Sequence, residues 1–235
     1  FQAPELTNSY DIIMAQYSTQ APVKGLIDLY QMVDGLSITE SELYNPEQPY
    51  ENRDPRFKQS ILYIGAPWRN RTATIADLHQ TGFSFRKFTE YNELTQGTIS
   101  NSDVNYVEIR FADVLLMYAE ALNEISGPTD DVYNAINSIR QRKTVGMPVI
   151  PQGLSKESMK EAIRLERRIE LAGEGSYFYD IRRWKTIEKD MNEPIFDYKG
   201  NLIENRKFDP DRDYFWPIPY TEIDLNPNLQ QNPGY

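Results

Sequence analysis

The chain has no cysteine, a single histidine and no long apolar run, and each shortage removes a class of function. Without cysteine there is no disulfide framework, no thiol nucleophile and no thiolate-held zinc or iron–sulfur centre. With His79 alone, two-histidine metal helices are out of reach, and a catalytic relay would need partners supplied by the fold. Its surroundings, Ala76-Asp77-Leu78-His79-Gln80-Thr81, read as a polar loop. The longest apolar stretch, Val114 to Ala119, falls far below the ~18 residues of a membrane-spanning helix. No G-x-S-x-G elbow, Walker A loop or H-E-x-x-H helix occurs, so the common hydrolase, nucleotide and zinc-protease signatures are missing. A basic stripe is missing as well. The 25 Lys and Arg face 35 Asp and Glu, for a formal net charge of −10, and nucleic acid is not an expected partner. Phe1-Gln2-Ala3-Pro4-Glu5 has neither a basic start nor an apolar core, so no signal peptide is read there.

What is present suits an ordinary folded protein. A chain of 235 residues can bury roughly 70% of its surface, enough for one sizeable core or two small ones. Apolar residues make up 40% and charged residues 26%, which rules out wholesale disorder. Residues 1–104 form a loop-rich region, the candidate ligand-binding face. Within it Tyr10 to Ala15 and Gly25 to Val33 read as short helices, and Ser60 to Ile64 and Phe83 to Phe88 as short strands. Tyr44 to Tyr50, with Pro46 and Pro49, is a turn-rich loop.

Residues 105–235 start with a helical zone running to Trp184. Phe111, Val114, Leu115, Tyr118, Leu122 and Ile125 recur at helical spacing, and Ala112, Leu116 and Ala119 line a second face. Two apolar faces predict a helix buried between two neighbours. Gly127-Pro128 stops it, Thr129 offers a cap, and Asp130 and Asp131 suit the positive end of a second helix. That helix carries Val132, Ala135, Ile136 and Ile139 and should fold back as a hairpin. A third begins at Ser155, with Leu154 and Met159 placed to staple its entry, and runs to Gly173. Tyr177 to Ile187 resumes the helical spacing, and Asp190 to Tyr235 returns to proline-rich loops. The expected unit is compact and mostly α. It consists of tetratricopeptide-like helix pairs with long irregular loops and a few short β strands.

Besides the lone His79, two further constellations could carry chemistry. Glu166, Glu170 and Glu174 stand four apart, among Arg164, Arg167 and Arg168 and ahead of Arg182 and Arg183. Carboxylates beside guanidinium groups stay ionised, which suits a structural ion network better than general acid work. A glycosidase would instead need two carboxyls across a cleft, one of them with a raised pKa. The third constellation is aromatic: 16 Tyr, 10 Phe and 3 Trp. Most fall at core spacing, but Trp68 lies in Ala66-Pro67-Trp68-Arg69-Asn70-Arg71-Thr72, a polar and turn-prone stretch. Trp68 with Arg69, Asn70, Arg71 and nearby Tyr63 is the candidate ligand-binding set. Either Trp68 is an exposed platform for a sugar ring, or it plugs a small core under the loop.

Several runs together resemble the RagB/SusD family of outer-membrane nutrient-binding lipoproteins. They are Arg53-Asp54-Pro55-Arg56-Phe57, Gly82-Phe83 with Arg86-Lys87-Phe88, and Ile109 to Glu124. Further on come Ile136 to Arg142, Glu166 to Gly175, and Asp180-Ile181-Arg182-Arg183-Trp184. The end, from Trp216-Pro217-Ile218-Pro219 to Asn232-Pro233-Gly234-Tyr235, fits too. The resemblance covers the C-terminal half of such proteins. It implies a SusD-like helical fold and a lipid-anchored surface protein that captures glycans without catalysis. Its implied partner is a SusC-like TonB-dependent barrel, over which it acts as a lid. No cofactor or metal is implied, and membrane association would come only through an N-terminal lipid anchor that this chain does not contain. Ser176 departs from the pattern, since a basic residue often stands there, so one pairing in the charged network is expected to be missing. Ligand residues vary between members and none is carried over. A glycan-binding uptake protein is the reading favoured here, ahead of a peptide-binding relative and a glycoside hydrolase.

Overall fold

Gly127, at φ +73°, caps the first long helix and lets the chain double back, a backbone conformation that costs glycine least. The computed structural model describes residues 21–68, 70–89 and 107–235. The expected helix at Tyr10 to Ala15, the boundary at 104/105 and the candidate residue Arg69 lie outside them.

In chain order the helices are α1 (Lys24–Leu29), α2 (Pro55–Ser60), α3 (Phe111–Ser126), α4 (Asp130–Arg140), α5 (Lys156–Glu170), α6 (Ser176–Arg183), α7 (Ile187–Asp190) and α8 (Tyr220–Leu225). The strands are β1 (Ile61–Tyr63), β2 (Pro67–Trp68), β3 (Arg71–Thr72), β4 (Phe83–Phe85), β5 (Pro194–Phe196) and β6 (Leu202–Asn205). They form three antiparallel ribbons, β1 with β4, β2 with β3 and β5 with β6.

Local chemistry sets the helix starts. Pro55 occupies the first turn of α2, where no backbone donor is needed, and Asp54 caps it by accepting from the Arg56 N–H at 2.9 Å. Ser155 caps α5 through the Ser158 N–H at 3.1 Å, while Leu154 and Met159 share one core cluster, as a staple requires. Thr129 occupies the cap position of α4, but its hydroxyl makes no capping hydrogen bond. Some ends differ from the sequence reading. Helix α5 stops at Glu170 rather than Gly173, and Lys185, at φ +58°, separates α6 from α7. Past Asp190, where only loop was expected, β5 and β6 pair around a turn in which Asp197 Oδ1 accepts from the Lys199 and Asn201 N–H groups, both at 2.8 Å.

Two main clusters hold the molecule together. Helices α3, α4 and α5 enclose Ala119, Val132, Ile136, Met159 and Ile163. The other gathers Tyr30, Phe57, Ile61, Trp68, Phe83 and Phe85 around Ile169 of α5, so the N-terminal ribbons and the helical zone share one core. Gly82, at φ +80°, lies against Tyr198, whose ring occupies the space a Cβ would need.

The expectation that α3 is covered on both faces does not hold. Ala112, Leu116, Ala119 and Asn123 are buried against α4 and α5, while Phe111, Val114, Tyr118 and Ile125 are 73%, 43%, 48% and 83% exposed. Helical spacing reports that two faces are apolar, but the described residues supply neighbours for only one.

Candidate functional site

The densest chemistry lies where α5 meets α2 and the start of α3. Glu166 and Glu170 are one turn apart, so both point at the same neighbours. Glu166 accepts from Arg56 Nη1 at 2.5 Å and from Arg140 Nη1 at 2.8 Å. Glu170 accepts from Arg56 Nη1 at 2.9 Å, Arg110 Nη1 at 2.6 Å and Arg142 Nη2 at 3.0 Å. Glu174 lies past the helix end, where it takes Arg110 Nε at 2.7 Å and the Lys87 ammonium. Asp54 completes the set by holding Arg56 Nη2 at 2.7 Å. Glu166, Glu170, Arg56 and Arg140 are all buried.

The partners of these glutamates are not the arginines beside them in sequence. Arg167 is rotated about 100° from Glu166 around the helix, so it reaches Asp180 at 2.7 Å and Asp113 at 2.5 Å instead. Arg183 clamps Glu120 with two bonds, at 2.5 and 2.6 Å, and Trp184 Nε1 donates to the same carboxylate at 2.8 Å. Arg168 and Arg182 have no carboxylate partner among the described residues, which corrects their placement in the network. Arg168 lies over the Tyr177 ring, 4.4 Å from its centroid. Arg182 donates to the Tyr214 and Asp213 carbonyls and covers Phe178. The true partners, Arg56, Arg110, Arg140, Arg142 and Lys87, come from segments far away in the chain. Their only sequence signal was membership of the runs Arg53 to Phe57, Arg86 to Phe88, Ile109 to Glu124 and Ile136 to Arg142.

Electrostatics decides what this site can do. Burial pushes the Glu170 carboxyl up, but hydrogen bonds and charge from Arg110 and Arg56 outweigh it and hold the pKa down at about 2. Burial likewise works against the Arg56 guanidinium, and the charges of Glu166 and Asp54 more than restore it. Lys87 ends lower than usual, because burial outweighs its contact with Glu174. A carboxylate held ionised, with both oxygens taken by guanidinium groups, has no proton to give and no lone pair facing a substrate. A cleft of about 340 Å³ borders this network at Arg56, Lys87, Arg110, Arg142 and Glu170. Among the described residues, these buried carboxylates are all taken up by guanidinium or ammonium partners.

The candidate ligand set fares differently. Trp68 is 2% exposed and packs in the core with Tyr30, Phe57 and Phe83. That burial fits the plug reading rather than the exposed platform, with Pro67 beside it exposed. Tyr63 is also buried, its ring 4.5 Å from Tyr50 and 5.2 Å from Phe57. Asn70 is exposed at φ +62°, a turn conformation that Asn tolerates. Arg71 is exposed too, but both ends of its guanidinium bind Asp77. These residues do not form a stacking platform. His79 accepts from the Thr81 N–H at 3.4 Å through Nδ1 and serves its own loop.

Exposed rings occur elsewhere. Phe215, Trp216 and Tyr220 are 59%, 74% and 72% exposed within six residues of sequence. Asn232 donates to the Trp216 carbonyl at 2.7 Å, and Gln231 bonds both backbone groups of Ile218. Reading the proline-rich tail as plain loop hid these exposed rings. Among the described residues, no group of His, Asp and Glu is arranged to hold a metal, and no helix is long and apolar enough to cross a membrane.

Comparison with known proteins agrees with this geometry. The model of the SusD family matches residues 7–235. SusD-like protein P2 of Formosa agariphila is 37% identical over 155 residues, spanning 63% of this chain and 30% of that relative. A SusD-like carbohydrate-binding protein from Bacteroides fragilis superposes with a TM-score of 0.79 at 29% identity, covering 89% of this chain and 48% of its own. A second SusD-like protein from the same species gives 0.76 at 29% identity, covering 91% and 46%. The chain therefore spans less than half the length of these relatives. A mostly helical fold, a guanidinium-clamped set of glutamates and a family match over nearly every residue lead to one conclusion: this chain belongs to the SusD family.

Proposed function

We propose that this chain is part of a lipid-anchored cell-surface protein that binds glycan at the outer membrane without transforming it. The bound oligosaccharide passes to a SusC-like TonB-dependent transporter. The observation that carries this reading is the fold shared with a SusD-like carbohydrate-binding protein. The charge arrangement supports it, since among the described residues the buried glutamates of α5 are committed to arginines.

Recognition falls to aromatic faces open to solvent. Trp216 and Tyr220 offer flat apolar surfaces with amide and carboxylate groups close by in sequence, the combination that sugar rings require. The test is an array of glycans and peptides probed with the full-length protein. Retention by oligosaccharides of one linkage class supports the reading, and retention by peptides alone overturns it.

A further inference from the structure

A second cavity, of about 220 Å³, opens between α1, α5, α6 and α7, and it shares no residue with the cleft beside Glu170. Leu29 and Leu165 give it apolar wall, and Arg164, Arg168 and Lys189 give it three cations. The two arginines stand one turn apart on α5, so they line the same space. Each lies against a ring, Arg168 at 4.4 Å from the Tyr177 centroid and Arg164 at 4.9 Å from that of Trp184. Trp184 is itself fixed, since its Nε1 donates to Glu120 at 2.8 Å. A contact with a ring face holds a guanidinium in place and consumes none of its N–H donors.

The charges in this cavity do not cancel. Glu161 is tied to Arg164 at 3.2 Å, and Asp190 accepts from the Thr186 hydroxyl at 2.5 Å. The Tyr177 hydroxyl bonds Asp190 as well, and burial pushes its pKa up to about 12, so it stays a donor at neutral pH. Arg168 and Lys189 have no carboxylate partner among the described residues, and Arg164 Nε is buried without a hydrogen bond. Donors left open in this way call for an acceptor that the described residues do not supply. In a chain of net charge -10, a pocket with surplus cationic donors selects anions from an otherwise repelling surface.

We infer that this cavity is a subsite for an acidic sugar, one that carries a carboxylate or a sulfate ester. This adds the charge of the ligand to the glycan-binding reading above, on which it rests. The paired N–H donors of a guanidinium match the oxygens of such a group, and Lys189 adds a point charge. Leu29 and Leu165 suit the C–H face of a sugar ring, while Asp190 and Thr186 suit its hydroxyls. A neutral sugar would leave the Arg168 donors without a charged acceptor.

The test is electrophoresis of the full-length protein in native gels containing polygalacturonate, κ-carrageenan or a neutral galactan. Each mobility is taken relative to a gel without polysaccharide. At least one acidic polymer should bind about fivefold or more tightly than galactan; polygalacturonate assigns the charged group to a carboxylate, and carrageenan to a sulfate ester. Arg168→Gln and Lys189→Gln should each weaken that binding by roughly fivefold and leave galactan unaffected. Lys189 is exposed, so its variant tests the cavity even where loss of the Arg168 contact with Tyr177 disturbs the fold. Lys143→Gln, at an exposed lysine outside the cavity, makes the same change of charge and should weaken nothing. Equal loss from Lys143→Gln and Lys189→Gln reflects overall charge and overturns the inference. Retention by galactan without preference for either acidic polymer also overturns it, while the glycan reading stands. Retention by none of the three, with peptides bound instead, overturns both.

Discussion

Arg56 and Glu170 stand 114 residues apart in sequence and 2.9 Å apart in space. The pair joins the N-terminal ribbons to the long helix α5, and each member is also bound by others, Arg56 by Asp54 and Glu166, Glu170 by Arg110 and Arg142. Removing one partner leaves buried charge uncompensated. Glu170→Ala is therefore expected to cost about 3–5 kcal/mol, read as a lower midpoint in urea. In a double-mutant cycle with Arg56→Ala, the combined loss should fall well short of the sum of the single losses. Additive losses would mean that the two residues act independently.

The same carboxylate sets an acid limit on stability. Its pKa in the folded protein is about 2, below the ordinary 4.5, so the folded state binds this proton more weakly than the unfolded state does. The resulting stability is complete above pH ~4.5 and is lost as pH falls toward 2, a span worth on the order of 3 kcal/mol. A stability profile between pH 6 and pH 2 should drop more steeply for the wild type than for Glu170→Gln. Parallel acid limbs would show that Glu170 titrates as it does in the unfolded chain.

Trp68 now carries a prediction about stability rather than binding. Its ring fills the cluster of Tyr30, Phe57 and Phe83, so Trp68→Ala should cost about 3–5 kcal/mol by opening a cavity. Affinity per folded molecule should stay the same. A melting temperature unmoved by the change would place the ring outside the core.

Trp216 is the opposite case. With 74% of its surface exposed, Trp216→Ala should leave the melting temperature within a degree or two. It should weaken oligosaccharide binding by roughly fivefold, equivalent to ~1 kcal/mol of lost stacking. Calorimetry on the full-length protein checks both halves, and undiminished affinity would remove this ring from the binding face.

The helical half of the fold was legible because its signals are local. Gly127 ends α3, Ser155 starts α5, and apolar residues at three- and four-residue steps mark the buried faces. The ion network was half legible. Glu166 and Glu170 share a helix face by spacing alone, but which arginine meets them depends on folding over separations of 26 to 114 residues. Trp68 could not be placed, since a two-residue strand offers no alternation to count. The exposed side of α3 misled for a different reason. Apolar periodicity records that a face is made for burial, and it is silent about which polypeptide buries it.

The central claim is that this protein holds a glycan without cutting it. The most direct measurement is mass analysis of an oligosaccharide recovered after long incubation with the full-length protein at saturation. The account predicts a binding isotherm and an unchanged ladder of chain lengths. Shortened chains that disappear when Glu170→Gln replaces the wild type would contradict it.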